Sequence, residues 1–87
     1  MIVIPSRHFE KQSAKLSKKL KKILAERLRL FMGDQYHPSL NNHQLHGSLR
    51  TYRSINITGD CRLIYEQYDE STVRLIDIGT HSNLYGK

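Results

Sequence analysis

Apolar positions recur along this chain first at helical spacing and then at strand spacing. Ile2, Val3 and Ile4 form a short run stopped by Pro5, which predicts an opening strand. Ser6 is suited to cap a helix beginning near Arg7. Phe9, Ser13, Leu16 and Leu20 fall on one helical face, and Leu20, Ile23, Leu24, Leu28 and Phe31 continue the apolar stripe. Lysines fill the opposite face. No proline or glycine interrupts residues 7–32, so one long helix is allowed. A hairpin of two helices turning near residues 17–21 suits a small domain better, because each short helix can pack on one sheet. Gly33 with Asp34 ends the pattern.

After His37-Pro38 the period changes. Residues 44–49 read as a strand or an extended loop. Residues 52–57 alternate, with Ile55 and Ile57 on one side and Tyr52, Ser54 and Asn56 on the other. Thr58-Gly59-Asp60 is a turn signal, residues 61–67 the next strand and residues 68–71 the next turn. Residues 72–78 are nearly continuous in apolar and β-branched types, as expected of an interior strand, and Gly79 is expected to end it. Short connections between these strands argue for an antiparallel meander. The predicted fold class is therefore α+β: an N-terminal strand, a helical hairpin, then a mainly antiparallel sheet of three or four strands packed on the helices.

A length of 87 residues bounds this to one domain spanning residues 1–87. Such a domain buries about two-thirds or less of its unfolded surface, so a partner covering apolar area would add to its stability. No apolar run approaches the roughly 20 residues of a membrane span. The segment before Pro5 is too short for a signal-peptide core. Cys61, the single cysteine, has no internal partner for a disulfide, which fits a reducing, cytoplasmic setting.

Charge changes the picture more. The formal net charge is +6, and it is uneven. Arg7, Lys11, Lys15, Lys18, Lys19, Lys21, Lys22, Arg27 and Arg29 face only Glu10 and Glu26 in the first third of the chain. Such a block suits a polyanion, nucleic acid first, or an acidic protein; it also serves simply as a solvated helix face.

His43, His46, Asp60, Arg62, His81 and Tyr85 are the candidates for chemistry. They sit on short strands and turns that can converge when the strands pair. A zinc site from His37, His43 and His46 is the weaker reading, since no cysteine ligand accompanies them, and no metal or cofactor is expected. Cys61 follows Asp60, which disfavours a thiolate, so it reads as a small buried thiol. Arg62 heads the apolar stretch Leu63-Ile64-Tyr65, where a guanidinium needs a partner. An ion pair with Asp60 or Asp77 is the favoured reading, and Asp77, between Ile76 and Ile78, needs such a partner itself. A phosphate clamp is the alternative. His81 follows Gly79-Thr80 on a turn, where it either titrates near neutrality or caps the turn that follows. Tyr85 either anchors the C-terminus or stacks on a base.

The segments HPSLNNHQLHGSL, YRSINITGDCRLIYE and DIGTHSNLY, in this order behind a basic helical segment, resemble the RelE/ParE toxin superfamily, most closely its YafQ-like and RelE/StbE branch. The resemblance covers the whole chain. It implies a toxin of a type II toxin–antitoxin system: a metal-independent endoribonuclease that enters the ribosomal A site and cuts mRNA. In that chemistry the ribose 2′-hydroxyl attacks the adjacent phosphate. Carried over by position, it implies catalytic roles for His43, Asp60, His81 (as general acid) and Arg62 (facing the scissile phosphate), and substrate contact for Tyr85. Lys15, Lys18, Lys19, Lys22, Arg50 and Arg53 would then contact RNA. The implied partners are a cognate antitoxin, in an oligomer with the toxin, and the ribosome with its mRNA; no membrane is implied.

Two positions depart from the YafQ pattern. Asn56 stands where that branch can carry a histidine, and asparagine does not exchange a proton near neutrality. Cys61 stands where an aromatic is expected, which removes a base-stacking surface. The resemblance with these departures implies either a slower enzyme or one that uses His43 and His81 alone. Two further readings stay open: a ParE-like gyrase inhibitor on the same scaffold, and a weakened toxin that retains antitoxin binding.

Overall fold

Pro5 and Ser6 set the first boundary of the fold. In the computed structural model, which describes residues 1–85 and the side chains of residues 1–84, β1 (Ile2–Pro5) ends where proline removes a ladder donor. Ser6 then caps α1 (Arg7–Ala14). Its hydroxyl oxygen accepts from the Phe9 amide at 3.0 Å, and the hydroxyl donates to the Ile76 carbonyl at 3.2 Å, fixing the helix start to the sheet. Ser17 caps α2 (Lys18–Gly33) in the same way, accepting from the Leu20 amide at 3.1 Å. Two helices form, as the hairpin reading requires. The turn lies slightly ahead of residues 17–21, because serine is a better cap than helix interior.

Beyond α2 come a short 3-10 turn (Pro38–Leu40), β2 (His43–Gln44), a second 3-10 turn (Gly47–Leu49), β3 (Tyr52–Asn56), β4 (Cys61–Asp69), β5 (Thr72–Thr80) and α3 (His81–Tyr85). The strand-or-loop segment 44–49 is thus the end of a two-residue strand followed by a 3-10 turn. The sheet order is β1-β5-β4-β3-β2, with β1 parallel to β5 and the remaining pairs antiparallel. β5 is interior, as expected, but it does not stop at Gly79. That glycine pairs with Arg62, Thr80 pairs with Cys61, and the ladder runs to the first residue before α3. The β4–β5 turn is also tighter than residues 68–71, since β4 continues to Asp69. There Oδ1 accepts from the Ser71 amide at 2.9 Å, which holds the Asp69 carboxyl below its ordinary pKa.

One face of the sheet carries the main core. Phe9, Leu24 and Phe31 of the helices pack with Leu40 against Ile55, Ile57, Cys61, Leu63 and Tyr65 of β3 and β4 and their flank, and against Val73, Leu75 and Ile78 of β5. The Phe31 and Tyr65 rings meet edge to face at 4.9 Å. The other face is covered by the arm of residues 41–50 and by α3. Leu45, Leu49, Tyr52, Ile64, Ile76 and Leu84 surround a small cavity of about 80 Å³ there. Burial on both faces explains the continuous apolar reading of β4 and β5.

The expected ion pair of Arg62 does not form. The regular register pairs Arg62 with Gly79 and Asp77 with Ile64, one row further along and just before a β-bulge between Ile64 and Tyr65, so Asp77 is not the cross-strand partner of Arg62. Asp77 is met instead by His8 Nε2 at 3.0 Å and by the Ile78 amide at 2.8 Å. His8 gave no sequence signal for this role, because α1 reaches the bulge only through tertiary packing.

Candidate active site

Strand register decides which of the sequence candidates meet. In an antiparallel pair, directly opposed residues project to the same face. Asn56 opposes Arg62, which opposes Gly79; one row along, His43 opposes Ser54, which opposes Ile64. Both rows project away from the helices. His43 and Arg62 therefore share a face, with rows roughly 7 Å apart along the strands. Gly79 contributes no side chain beside Arg62, and two residues later His81 opens α3 at the same end of the sheet. The result is a cleft of about 350 Å³ lined by Asn41, His43, Leu45, His46, Leu49, Arg62 and His81. Three of the five catalytic candidates converge there, together with His46.

Each of the three is held differently. Asn41 adopts a left-handed conformation (φ 48°), a region that asparagine tolerates, and its carbonyl lies 2.9 Å from His43 Nδ1. A carbonyl only accepts, so Nδ1 carries the proton and the lone pair of the neutral ring sits on Nε2. Arg62 Nη1 donates to the Thr58 carbonyl at 3.0 Å and the Gly59 carbonyl at 2.8 Å, in the β3–β4 turn. Among the described residues its Nε and Nη2 make no hydrogen bond or ion pair, and Arg62 lines the cleft. His81 is fixed through its backbone, whose amide donates to the Asp60 carbonyl at 3.3 Å. Thr80 Oγ1 accepts from the Asn83 amide at 3.2 Å and caps the helical turn that His81 begins.

The other candidates lie elsewhere. Asp60 contributes its carbonyl to the site by accepting from the His81 amide, and it lines a second cleft of about 290 Å³ with Lys15, Cys61 and Thr80 rather than the one that holds His43. The Tyr85 backbone closes α3, and its side chain lies outside the described residues. Lys15, Lys18, Lys19 and Lys22 are exposed on the helical layer, across the sheet from the cleft. Arg50 is exposed behind the 3-10 turn that walls the cleft. Arg53 is turned toward the helices, where Nε donates to Asn42 Oδ1 at 2.8 Å and the guanidinium lies 5.5 Å from the Tyr36 ring centre. Arg27 also leaves the basic face: it donates to the Ser39 carbonyl at 2.5 Å and to the Asn56 carbonyl at 3.3 Å, tying α2 to the arm and to β3.

The two departures also acquire places. Asn56 is the cross-strand neighbour of Arg62, and its Oδ1 is buried with no hydrogen-bond partner among the described residues. Cys61 points the other way, into the main core. An aromatic ring there would enter the core and the second cleft, so its absence does not strip a stacking surface from the cleft that holds His43. Burial, with the Asp60 carboxylate adding to it, pushes the Cys61 thiol above its ordinary pKa, and the Arg62 charge only partly opposes this. Cys61 is accordingly expected to react slowly with iodoacetamide at neutral pH in the folded chain, and at an ordinary rate in urea. Equal rates in both conditions would contradict its placement.

Among the described residues no group of three histidine, cysteine, aspartate or glutamate side chains is arranged to hold a metal ion. No described helix is long and apolar enough to cross a membrane.

Comparison with known proteins gives a consistent result. A family model described as "Bacterial toxin of type II toxin-antitoxin system, YafQ" matches residues 3–86. Among solved structures, the chain is similar to YafQ from E. coli strain BL21(DE3), with 25% identity, 97% of each chain covered and a TM-score of 0.79. It is similar to a chain of the E. coli DinJ–YafQ complex, at 27% identity, 97% of each chain and a TM-score of 0.72. A metal-bound toxin from Helicobacter pylori matches at 25% identity, covering 97% of this chain and 98% of that one, with a TM-score of 0.72. No curated protein sequence matches.

Proposed function

We propose, for a chain that belongs to the YafQ family of toxins of bacterial type II toxin–antitoxin systems, that it is a ribosome-dependent endoribonuclease that cuts mRNA without a metal. The observation that carries this reading is the cleft in which His43, Arg62 and His81 converge. Cleavage of RNA by its own 2′-hydroxyl requires a base for that hydroxyl, an acid for the leaving oxygen and positive charge beside the phosphate. The cleft contains one group suited to each task.

His43 is the base. Its proton sits on Nδ1, against the Asn41 carbonyl, so Nε2 is available to take the 2′-hydroxyl proton. The 2′-oxygen then bonds to the adjacent phosphorus and the bond from phosphorus to the 5′-oxygen breaks. His81, in its protonated form, gives a proton to that leaving oxygen. The products are a 2′,3′-cyclic phosphate and a 5′-hydroxyl end. Arg62, whose Nη1 is anchored on the turn, presents Nε and Nη2 to the phosphate oxygens as charge grows on them. Leu45 and Leu49 give the cleft an apolar wall against which a base can lie.

Arg62 and the histidines occupy one face and the lysine-rich helices the other, so the toxin would meet ribosomal RNA phosphates with α1 and α2 while mRNA enters the cleft. An antitoxin would hold the chain inactive in the complex, as DinJ accompanies YafQ in the E. coli complex.

Primer extension on translated mRNA after induction tests the reading. New 5′ ends within translated codons are expected. His43→Ala and His81→Ala should each lower cleavage by about 100-fold or more at equal expression. Intact mRNA accompanied by DNA damage would overturn the reading in favour of gyrase inhibition.

A further inference from the structure

His43 stands on a strand of only two residues, β2, whose ladder supplies little to fix the orientation of a side chain. What fixes it lies one residue earlier. Asn42 makes three hydrogen bonds, each to a different part of the fold. Its Nδ2 donates to the Gln35 carbonyl, in the turn after α2, at 3.1 Å, and to the Tyr65 hydroxyl, on β4, at 2.7 Å. Its Oδ1 accepts from Arg53 Nε, on β3, at 2.8 Å. The orientation of the amide follows from chemistry, because a carbonyl only accepts and a guanidinium only donates.

The partners are themselves fixed. Tyr65 is fully buried, packs edge to face on Phe31, and its hydroxyl also accepts from Gln35 Nε2 at 3.0 Å. Arg53 lies against Tyr36. The anchor is thus on the helical side of the sheet. Neighbouring residues of an extended chain project to opposite faces, so a residue held below the sheet at 42 drives residue 43 to the face above it. There the Asn41 carbonyl meets Nδ1.

We propose that Asn42 is the positioning residue of His43: held beneath the sheet by Gln35, Tyr65 and Arg53, it sets the orientation and the tautomer of the imidazole on the opposite side. The proposal rests on the reading of His43 as the base. It also gives Arg53 a use other than contact with RNA, since its Nε is already committed to Asn42.

The test separates positioning from chemistry. In isotope-labelled protein carrying Arg62→Ala, which is expected to remove toxicity, the His43 ring is expected to show the nitrogen shifts of a single Nδ1-protonated tautomer. Asn42→Ala should give averaged shifts. It should also speed exchange of the Leu45 amide, bonded to the Tyr52 carbonyl, by about tenfold, while the β4–β5 amides stay protected. Tyr65→Phe keeps the ring and removes one anchor; it should act in the same direction by roughly threefold, and it decides the matter if Asn42→Ala does not fold. A single tautomer and unchanged Leu45 exchange in the variant that folds would overturn the proposal. In cell-free translation with Arg62 restored, Asn42→Ala should lower kcat by roughly 100-fold and leave KM within about twofold. Averaged shifts with undiminished cleavage would leave Asn42 as the positioning residue and instead overturn His43 as the base.

Discussion

Replacing Arg62 by alanine is expected to abolish growth arrest and to lower mRNA cleavage by about 10³-fold or more, the scale on which a cationic group acts on a transferring phosphoryl centre. The physical reason lies in how the guanidinium is divided. Nη1 holds the Thr58 and Gly59 carbonyls, so the group is already oriented before RNA arrives and little reorganisation remains for the reaction. Its Nε and Nη2 are left uncommitted among the described residues, and Arg62 lines the cleft with His43 and His81. Arg62→Lys should recover little of the lost rate. A lysine ammonium is one point on a flexible stem and cannot hold the turn carbonyls while also spanning two phosphate oxygens. The measurement pairs primer extension with thermal unfolding. A large loss of cleavage with a melting temperature lowered by only a few degrees supports the clamp. Retained cleavage in the alanine variant would remove Arg62 from the mechanism, and a collapsed melting temperature would make its turn contacts the larger role.

Phe31→Ala should have the largest effect on the fold itself. Phe31 is fully buried at the centre of the core and meets Tyr65 edge to face. Truncating such a ring costs about 3–5 kcal/mol, from lost transfer energy and from the cavity left behind. A domain of this size has a total stability on the order of 5–15 kcal/mol, so the variant should lose much of it. The melting temperature should fall by roughly 15–25 °C. Toxicity would then fall through depletion of the folded chain. The effect should also reach the site, because Tyr65, released on the Phe31 side, carries the hydroxyl that anchors Asn42. The change is best read in the Arg62→Ala background, which is expected to permit expression; the two residues lie on opposite faces of the sheet and share no partner, so their effects should add. A drop of less than about 5 °C would contradict the packing described.

These two residues also show how unevenly the sequence displays its own structure. Phe31 was legible as core because helix spacing alone puts it in line with Leu24 and Leu28. Its aromatic partner was not, since the contact joins α2 to β4 across 34 positions. Arg62 was legible as a residue in need of a partner. Neither acid expected to supply one, Asp60 or Asp77, does so: register sets Gly79 opposite Arg62, the guanidinium holds the Thr58 and Gly59 carbonyls, and Asp77 is met by His8. The lysine-rich block was plain in the sequence, yet Arg27, inside that block, is spent on the carbonyls of Ser39 and Asn56.

What the sequence by itself determined is what periodicity and local chemistry carry. It specified a strand capped into helix at Ser6, a helical segment that allowed a hairpin near residues 17–21, and a run of antiparallel strands, with the identity of the groups available for acid–base work. These follow from near-neighbour rules: apolar repeats of 3.6 and 2, caps, and turn residues. Only the tertiary structure decided which of those groups meet. Strand register placed His43 and Arg62 on one face and Cys61 on the other, and α3 brought His81 to the same cleft. It also left Asp60 lining a different cleft. Register has this power because a slip of one residue moves every side chain of a strand to the opposite face. The Asn42 anchor is the clearest case: an ordinary asparagine in sequence, it gains its role only when Gln35, Arg53 and Tyr65 converge on it from three separate parts of the chain.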